Sequence, residues 1–176
     1  NAYALNLIEQ INEMNNGQYL YEETKNSPSN FCIGTAGYPE KHFEAMNLST
    51  DMKHLKKKVD AGAEFIVTQL FYDNDKFFDF VKKCREIGIK VPIIPGIKPV
   101  TNLRHLSFIP KFFHVNFPES FSNELEKCKT DEEINRVGVE WTTAQCKELV
   151  KADIPVIHFY TMGRGTSVKN IAKEIF

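Results

Sequence analysis

Apolar positions along the chain switch repeatedly between two periods. Ala4, Leu7, Ile8, Ile11 and Met14 recur at helical spacing and predict an opening helix over residues 3–15. Residues 15–30, rich in Asn, Gly, Glu and Ser, read as a loop. One grammar then repeats. Residues 31–37 (FCIGTAG) are a short apolar run, and the helix after it has Ser49 or Thr50 as N-cap. Met52, Leu55 and Val59 form its stripe, with Gly62 past its end. Residues 65–71 (FIVTQLF), β-branched and aromatic, predict a strand. Asp73 or Asn74 caps the next helix, which carries Phe77, Phe80, Val81 and Cys84 on one side and stops at Gly88. Residues 91–97 (VPIIPGI) are the third run, and Pro92 and Pro95 predict a strand that ends early or bulges. Helices near 102–108, 119–127 and 131–152 fill a longer connection. Residues 155–161 (PVIHFYT) are the fourth run, and Thr166 or Ser167 caps the last helix.

Continuous apolar strands alternating with amphipathic helices predict an α/β fold with a mainly parallel sheet covered on its faces. Such sheets place chemistry at the C-terminal ends of strands. The functional search narrows to residues 36–45, 69–73, 96–102 and 160–167. The 176 residues suit a single domain, 1–176, with a sizeable core. A closed barrel of eight units typically needs ~250 residues, so the pattern is either a small open α/β domain or part of something larger.

Composition changes this picture little. The 22 Lys+Arg against 23 Asp+Glu leave a net charge of −1, which gives no support to a nucleic-acid partner. Cys32, Cys84, Cys128 and Cys146 form no C-x-x-C pair, so a zinc ribbon and a redox motif are disfavoured. They read as buried or half-buried free thiols of a cytoplasmic protein. No apolar run reaches the ~18 residues of a membrane span, and no basic leader with an apolar core opens the sequence.

The strand ends carry the candidate chemistry. Tyr38, Glu40, His42 and Glu44 share a proline-containing loop that either stacks on a ring and bonds a polar cofactor or is an ordinary solvated loop. His42 lacks a second ligand at metal-binding spacing, and no metal site is expected. Lys53, Lys56, Lys57 and Lys58 are a solvated helix face or a contact for phosphate or ribose. Gln69 is the odd polar residue of its strand. It suits a heterocycle edge with donor and acceptor side by side, or it bonds neighbouring backbone. Lys98 sits in what reads as a structural turn. His158 reads as a core histidine, and Trp141 as packing within its helix. Gly163-Arg164-Gly165 before a helix is a possible anion site or a plain connection. The residues alone reach a domain binding a polar, ring-containing small molecule.

Taken together, these stretches resemble the methylenetetrahydrofolate reductase family. The matching strings are Ala36-Gly37-Tyr38-Pro39-Glu40 with His42, Lys57-Lys58-Val59-Asp60-Ala61-Gly62-Ala63, and Thr68-Gln69 with Phe71 and Asp73. Ile94-Pro95-Gly96-Ile97 with Pro99, and His158-Phe159-Tyr160-Thr161 with Arg164, complete the set. The resemblance implies the C-terminal half of a (β/α)8 TIM barrel, units five to eight, with FAD as cofactor and NAD(P)H as co-substrate. It implies reduction of 5,10-methylenetetrahydrofolate to 5-methyltetrahydrofolate for methionine synthesis. Tyr3, Ala4, Tyr38, His42, Ala45, Asp51, His54, Lys57 and Lys58 match FAD-lining positions. Gln69 matches the glutamine that orients substrate, and Tyr160 and Arg164 match substrate-binding positions. Three residues depart from the family pattern: His54 for a frequent Asn, Ile109 for an aromatic, and Gly163 for a usual Asn. His105 aligns near a folate-contacting polar position. The glutamate that serves the family as general acid has no match here, so this chain alone is expected to be inactive. The competing readings are a non-catalytic ligand-binding module and an unrelated phosphate-binding enzyme using Arg164. Exposed strand edges of a half-barrel predict self-association into a homo-oligomer.

Overall fold

The computed structural model describes residues 3–20 and 27–176; residues 21–26 of the predicted loop lie outside them. Helix α1 (Ala4–Asn15) precedes strand β1 (Gly34–Gly37), α2 (Leu48–Asp60), β2 (Phe65–Leu70), α3 (Asn74–Glu86) and β3 (Ile93–Ile97). Then come α4 (Arg104–Phe113), α5 (Glu119–Glu126), α6 (Asp131–Lys151), β4 (His158–Phe159) and α7 (Thr166–Ile175). The strands are parallel and neighbour each other in chain order, β1-β2-β3-β4.

Helices cover one face of this sheet. Met52 and Leu55 of α2 and Phe80 and Cys84 of α3 bury Ile66. Phe77, Cys146, Leu149 and Ile171, from α3, α6 and α7, bury Ile97. The other face, with Gly34, Ala36, Phe65, Val67, Gln69 and His158, is exposed or half-buried. Coverage of both faces was expected, and His158 was expected in the core; it is exposed instead. Sequential strand order with helices on one side is an arc of a (β/α)8 barrel, half its eight strands. A doubly wound sheet reverses its strand order and carries helices on both faces.

Several boundaries differ from the sequence pattern, each for a local reason. The ladder begins at Gly34 rather than residue 31, because Ile33 N–H bonds the Glu64 carboxylate (3.0 Å) instead of a strand. Asn47 caps α2 by accepting from Thr50 N–H, which places Ser49 and Thr50 inside the first turn. Asp73 caps α3 as expected. No side chain caps α7; Ser167 Oγ donates to Asn135 Oδ1 instead (2.8 Å). α4 runs past residue 108 to Phe113. β4 shrinks to two residues. Ile97 accepts from Tyr160 N–H, so Pro95, two residues earlier on the same side of β3, faces β4 without an N–H to give, and the ladder stops at Gly96 and His158. Pro95 also faces a register shift of β2 between Val67 and Leu70, the irregularity its position predicted.

All four cysteines are free. Cys84 and Cys146 are buried, and burial pushes both thiols up to about 12. Cys32 is exposed, against expectation. Trp141 stacks on Phe121 (4.5 Å) and donates to Tyr72 O (3.0 Å), a packing role. No helix among the described residues is long and apolar enough to cross a membrane.

Candidate ligand-binding rim

The loop leaving β1 is held by its own side chains. Lys41 takes a positive φ of 106°, and its Nζ donates to His42 O (3.0 Å) and Ala45 O (2.6 Å). His42 N–H donates to Asp51 Oδ2 (2.8 Å), tying the loop to the first turn of α2. His42 Nδ1 accepts from Glu44 N–H (3.3 Å). Its ring meets Tyr38 edge-on at 4.5 Å. Glu40 accepts from Asn116 Nδ2 (2.6 Å), and Phe43 stacks on His114 (4.7 Å), so the segment after α4 braces the loop. From α2, Lys58 Nζ donates to Ala36 O (2.9 Å) at the outer edge of β1. Burial lowers the pKa of this amine, while nearby Asp51 opposes the shift.

At the middle of the rim, Thr68 Oγ1 accepts from Gly96 N–H (2.9 Å), and Tyr160 crosses β3 to donate its hydroxyl to Thr68 O (2.9 Å). Burial raises the Tyr160 phenol, and Tyr38 adds to the effect, so the two phenols lie within electrostatic reach across the rim. Gln69 Oε1 accepts from its neighbour Leu70 N–H (2.9 Å) beside the register shift. One lone pair of that oxygen is therefore used within the chain, and the amide still offers a ligand its N–H donors and the second lone pair.

A cleft of about 690 Å³ opens beyond β3 and β4, lined among others by Lys98, His105, Phe108, Tyr160 and Arg164. Lys98, read from the sequence as part of a structural turn, is only 5% exposed. A polar residue directly after an apolar strand was the available signal, and only packing shows its burial. His105 is held down to about 4, first by burial, then by Lys98. Its Nδ1 accepts from Thr101 N–H, and its Nε2 lies against the Asn102 side-chain amide (3.2 Å each). The folded-state pKa lies below the unfolded value of 6.5, so the unfolded chain binds the proton first as pH falls. The stability His105 contributes is present above about pH 6.5 and is lost toward about pH 4. Urea midpoints measured across that window should fall with pH, and His105→Gln should flatten the slope; an unchanged slope would count against a neutral ring.

The structure thus joins Tyr38, His42, Ala45, Asp51 and Lys58 in one loop–helix unit, and sets Gln69 and Tyr160 beside it on the open face. Arg164 is exposed at the cleft, and His54 and Lys57 are exposed on α2. Tyr3 and Ala4 are exposed at the start of α1 and share no hydrogen bond with the other site residues among those described.

Fold and rim define a parallel β/α protein of the barrel type with its polar groups gathered at the strand ends. The chain belongs to the methylenetetrahydrofolate reductase family, whose model matches residues 1–175. It is 40% identical over 147 residues to a probable NADPH methylenetetrahydrofolate reductase of Caenorhabditis elegans, covering 82% of this chain and 22% of that protein. It is 43% identical over 155 residues to methylenetetrahydrofolate reductase (NADH) 1 of Arabidopsis thaliana, covering 82% of this chain and 26% of the relative. With the 5,10-methylenetetrahydrofolate reductase of Salmonella typhimurium it shares 36% identity over 137 residues, 77% of this chain and 46% of that one. The chain therefore spans about a quarter of these eukaryotic relatives and under half of the bacterial one. A solved Clostridium thermocellum protein, described as binding two copies of 5-methyl-5,6,7,8-tetrahydrofolic acid, shares the fold at a TM-score of 0.53 and 19% identity. The match covers 81% of this chain and 51% of that one.

Proposed function

We propose that this chain supplies the flavin- and folate-facing rim, units five to eight, of a cytoplasmic methylenetetrahydrofolate reductase. The protein would reduce 5,10-methylenetetrahydrofolate to 5-methyltetrahydrofolate with NAD(P)H. The observation that carries this reading is the meeting of the Tyr38–Asp51 unit, Gln69 and Tyr160 on one open face of the strand ends, in a chain of this family.

The residues fit FAD. The small, exposed Ala36 leaves room on the inner face of β1, while the Phe65 ring lies over Gly34. Lys58 brings a partly desolvated cation to that strand, with a carbonyl as its hydrogen-bond partner among the described residues. Lys57 and Lys58 would hold the diphosphate, with Tyr38, His42, Ala45, Asp51 and His54 lining the rest. When bound, FAD supplies a two-electron carrier between nicotinamide and folate. Gln69, steadied by the bond from Leu70 N–H, would orient a substrate through its Nε2 donors and the remaining lone pair of its oxygen. Tyr160 is fixed in place by Thr68 O and presents a ring wall to the cleft. Among the described residues no Asp or Glu lines this cleft, so those residues provide binding and orientation there but no carboxylic acid to donate a proton.

Titrating the purified 176-residue chain against FAD and following flavin fluorescence tests the proposal. Saturable binding is expected, weakened about tenfold in Lys58→Met through loss of one charge-assisted contact, without NADH-dependent folate turnover. Absence of FAD binding, or equal affinity in wild type and variant, would sink the assignment of this cradle.

A further inference from the structure

Lys98 stands immediately after β3 and is 5% exposed, yet it makes no hydrogen bond or ion pair among the described residues. Its side chain is packed along its stem, but the Nζ opens onto the cleft, where no counter-charge meets it. Arg104 and Arg164 line the same cleft, and among the described residues no Asp or Glu does. The one acid acting on neighbouring His105 is Asp131, whose Oδ1 already accepts from Leu103 N–H (2.8 Å). His105 stays neutral and adds no charge to be balanced, and burial lowers the Lys98 amine as well. A methionine would fill the same space without bringing a cation to the cleft, so packing alone does not account for the lysine.

We propose that Lys98 binds an anionic group of the ligand, a carboxylate or a phosphate, in the cleft between α4 and the β4–α7 turn. The residue thereby sets a preference for ligands that carry such a group. The cleft opens beside Tyr160, so the anion lies at the end of the site away from the Lys57–Lys58 cradle. Resting on the function proposed above, two ligands share this chemistry: a glutamyl carboxylate of folate and a phosphate of the nicotinamide dinucleotide.

The test compares wild-type chain with Lys98→Met and Lys98→Arg, whose folding is checked by amide spectra. The His105 ring resonance is followed by NMR during addition of glutarate or inorganic pyrophosphate. Either anion should raise the His105 pKa in wild type and in Lys98→Arg, while Lys98→Met should need roughly ten times more. 5-Methyltetrahydrofolate is then compared with its pteroate form lacking glutamate, and NADPH with NADH. A Lys98→Met loss confined to the glutamylated folate assigns the carboxylate; one shared by NADH and NADPH but not folate assigns the dinucleotide's diphosphate, and one confined to NADPH its additional phosphate. Equal anion response in wild type and Lys98→Met, or none in wild type, overturns the proposal. A response to both small anions without binding of any folate or dinucleotide leaves the Lys98 site standing and refutes the reductase reading instead.

Discussion

Gly138→Ala should destabilise the chain by about 3 kcal/mol, opposite in sign to its effect in an ordinary helix. In a helix interior, alanine is better than glycine by about 1 kcal/mol. Gly138 lies in the middle of α6, so propensity alone predicts a gain. A Cβ there, however, would sit 1.9 Å from Val100 O, 2.8 Å from Val100 C and 3.1 Å from Val100 N. All three atoms are backbone, and Val100 is fully buried in the cluster that also holds Tyr72, Ile109 and Phe121. No flexible side chain can step aside, so α6 must move off the segment after β3. Urea denaturation of wild type and variant measures this. A variant as stable as wild type would mean that α6 is not seated on Val100.

Gly96→Ala should damage the rim more than the fold. Its Cβ would meet Thr68 O at 2.2 Å and Tyr160 Cε2 at 2.6 Å. The ring must leave its place over β3, which breaks its hydrogen bond to Thr68 O and removes a wall of the cleft. Expected losses are about 2 kcal/mol of stability and more than tenfold in affinity for 5-methyltetrahydrofolate. Tyr160→Phe separates the two effects. It keeps the ring but leaves Thr68 O unpartnered, at a cost of about 1 kcal/mol with a smaller change in affinity. Calorimetric titration of both variants would show a problem with this account if Tyr160→Phe lost as much affinity as Gly96→Ala.

Both glycines illustrate what the sequence made legible. Gly96 lies in a strand-end string shared with the family, but nothing local says that a tyrosine from more than sixty residues later lies across it. Gly138 sits in an amphipathic pattern that reads simply as helix. The alternation of strands and helices was readable because burial of one face imposes a period on neighbouring residues. The cap of α2 was misread because several N-cap residue types stand in a row, and only backbone geometry selects Asn47. The apolar run 155–161 reads longer than β4 because such a run signals burial, whereas a strand also needs a partner with free N–H groups, which Pro95 withholds.

The candidate site divides in the same way. Tyr38, His42 and Asp51 are close in the chain, and their association follows from one loop and one helical turn. Gln69 was singled out because polarity inside a strand is locally anomalous, yet the use of its oxygen by Leu70 N–H depends on a register shift against β3. The sequence by itself determined the α/β alternation, the parallel sheet, the strand ends as the place of chemistry and the family resemblance. Those rest on local periodicity and on residue identity. Only the tertiary structure decided that helices cover one face, that Tyr160 reaches Thr68, that α6 presses on Val100 and that Lys98 lines a cleft without a counter-charge. Those properties belong to pairs of segments far apart in the chain, and burial and charge pairing are settled by which segments meet.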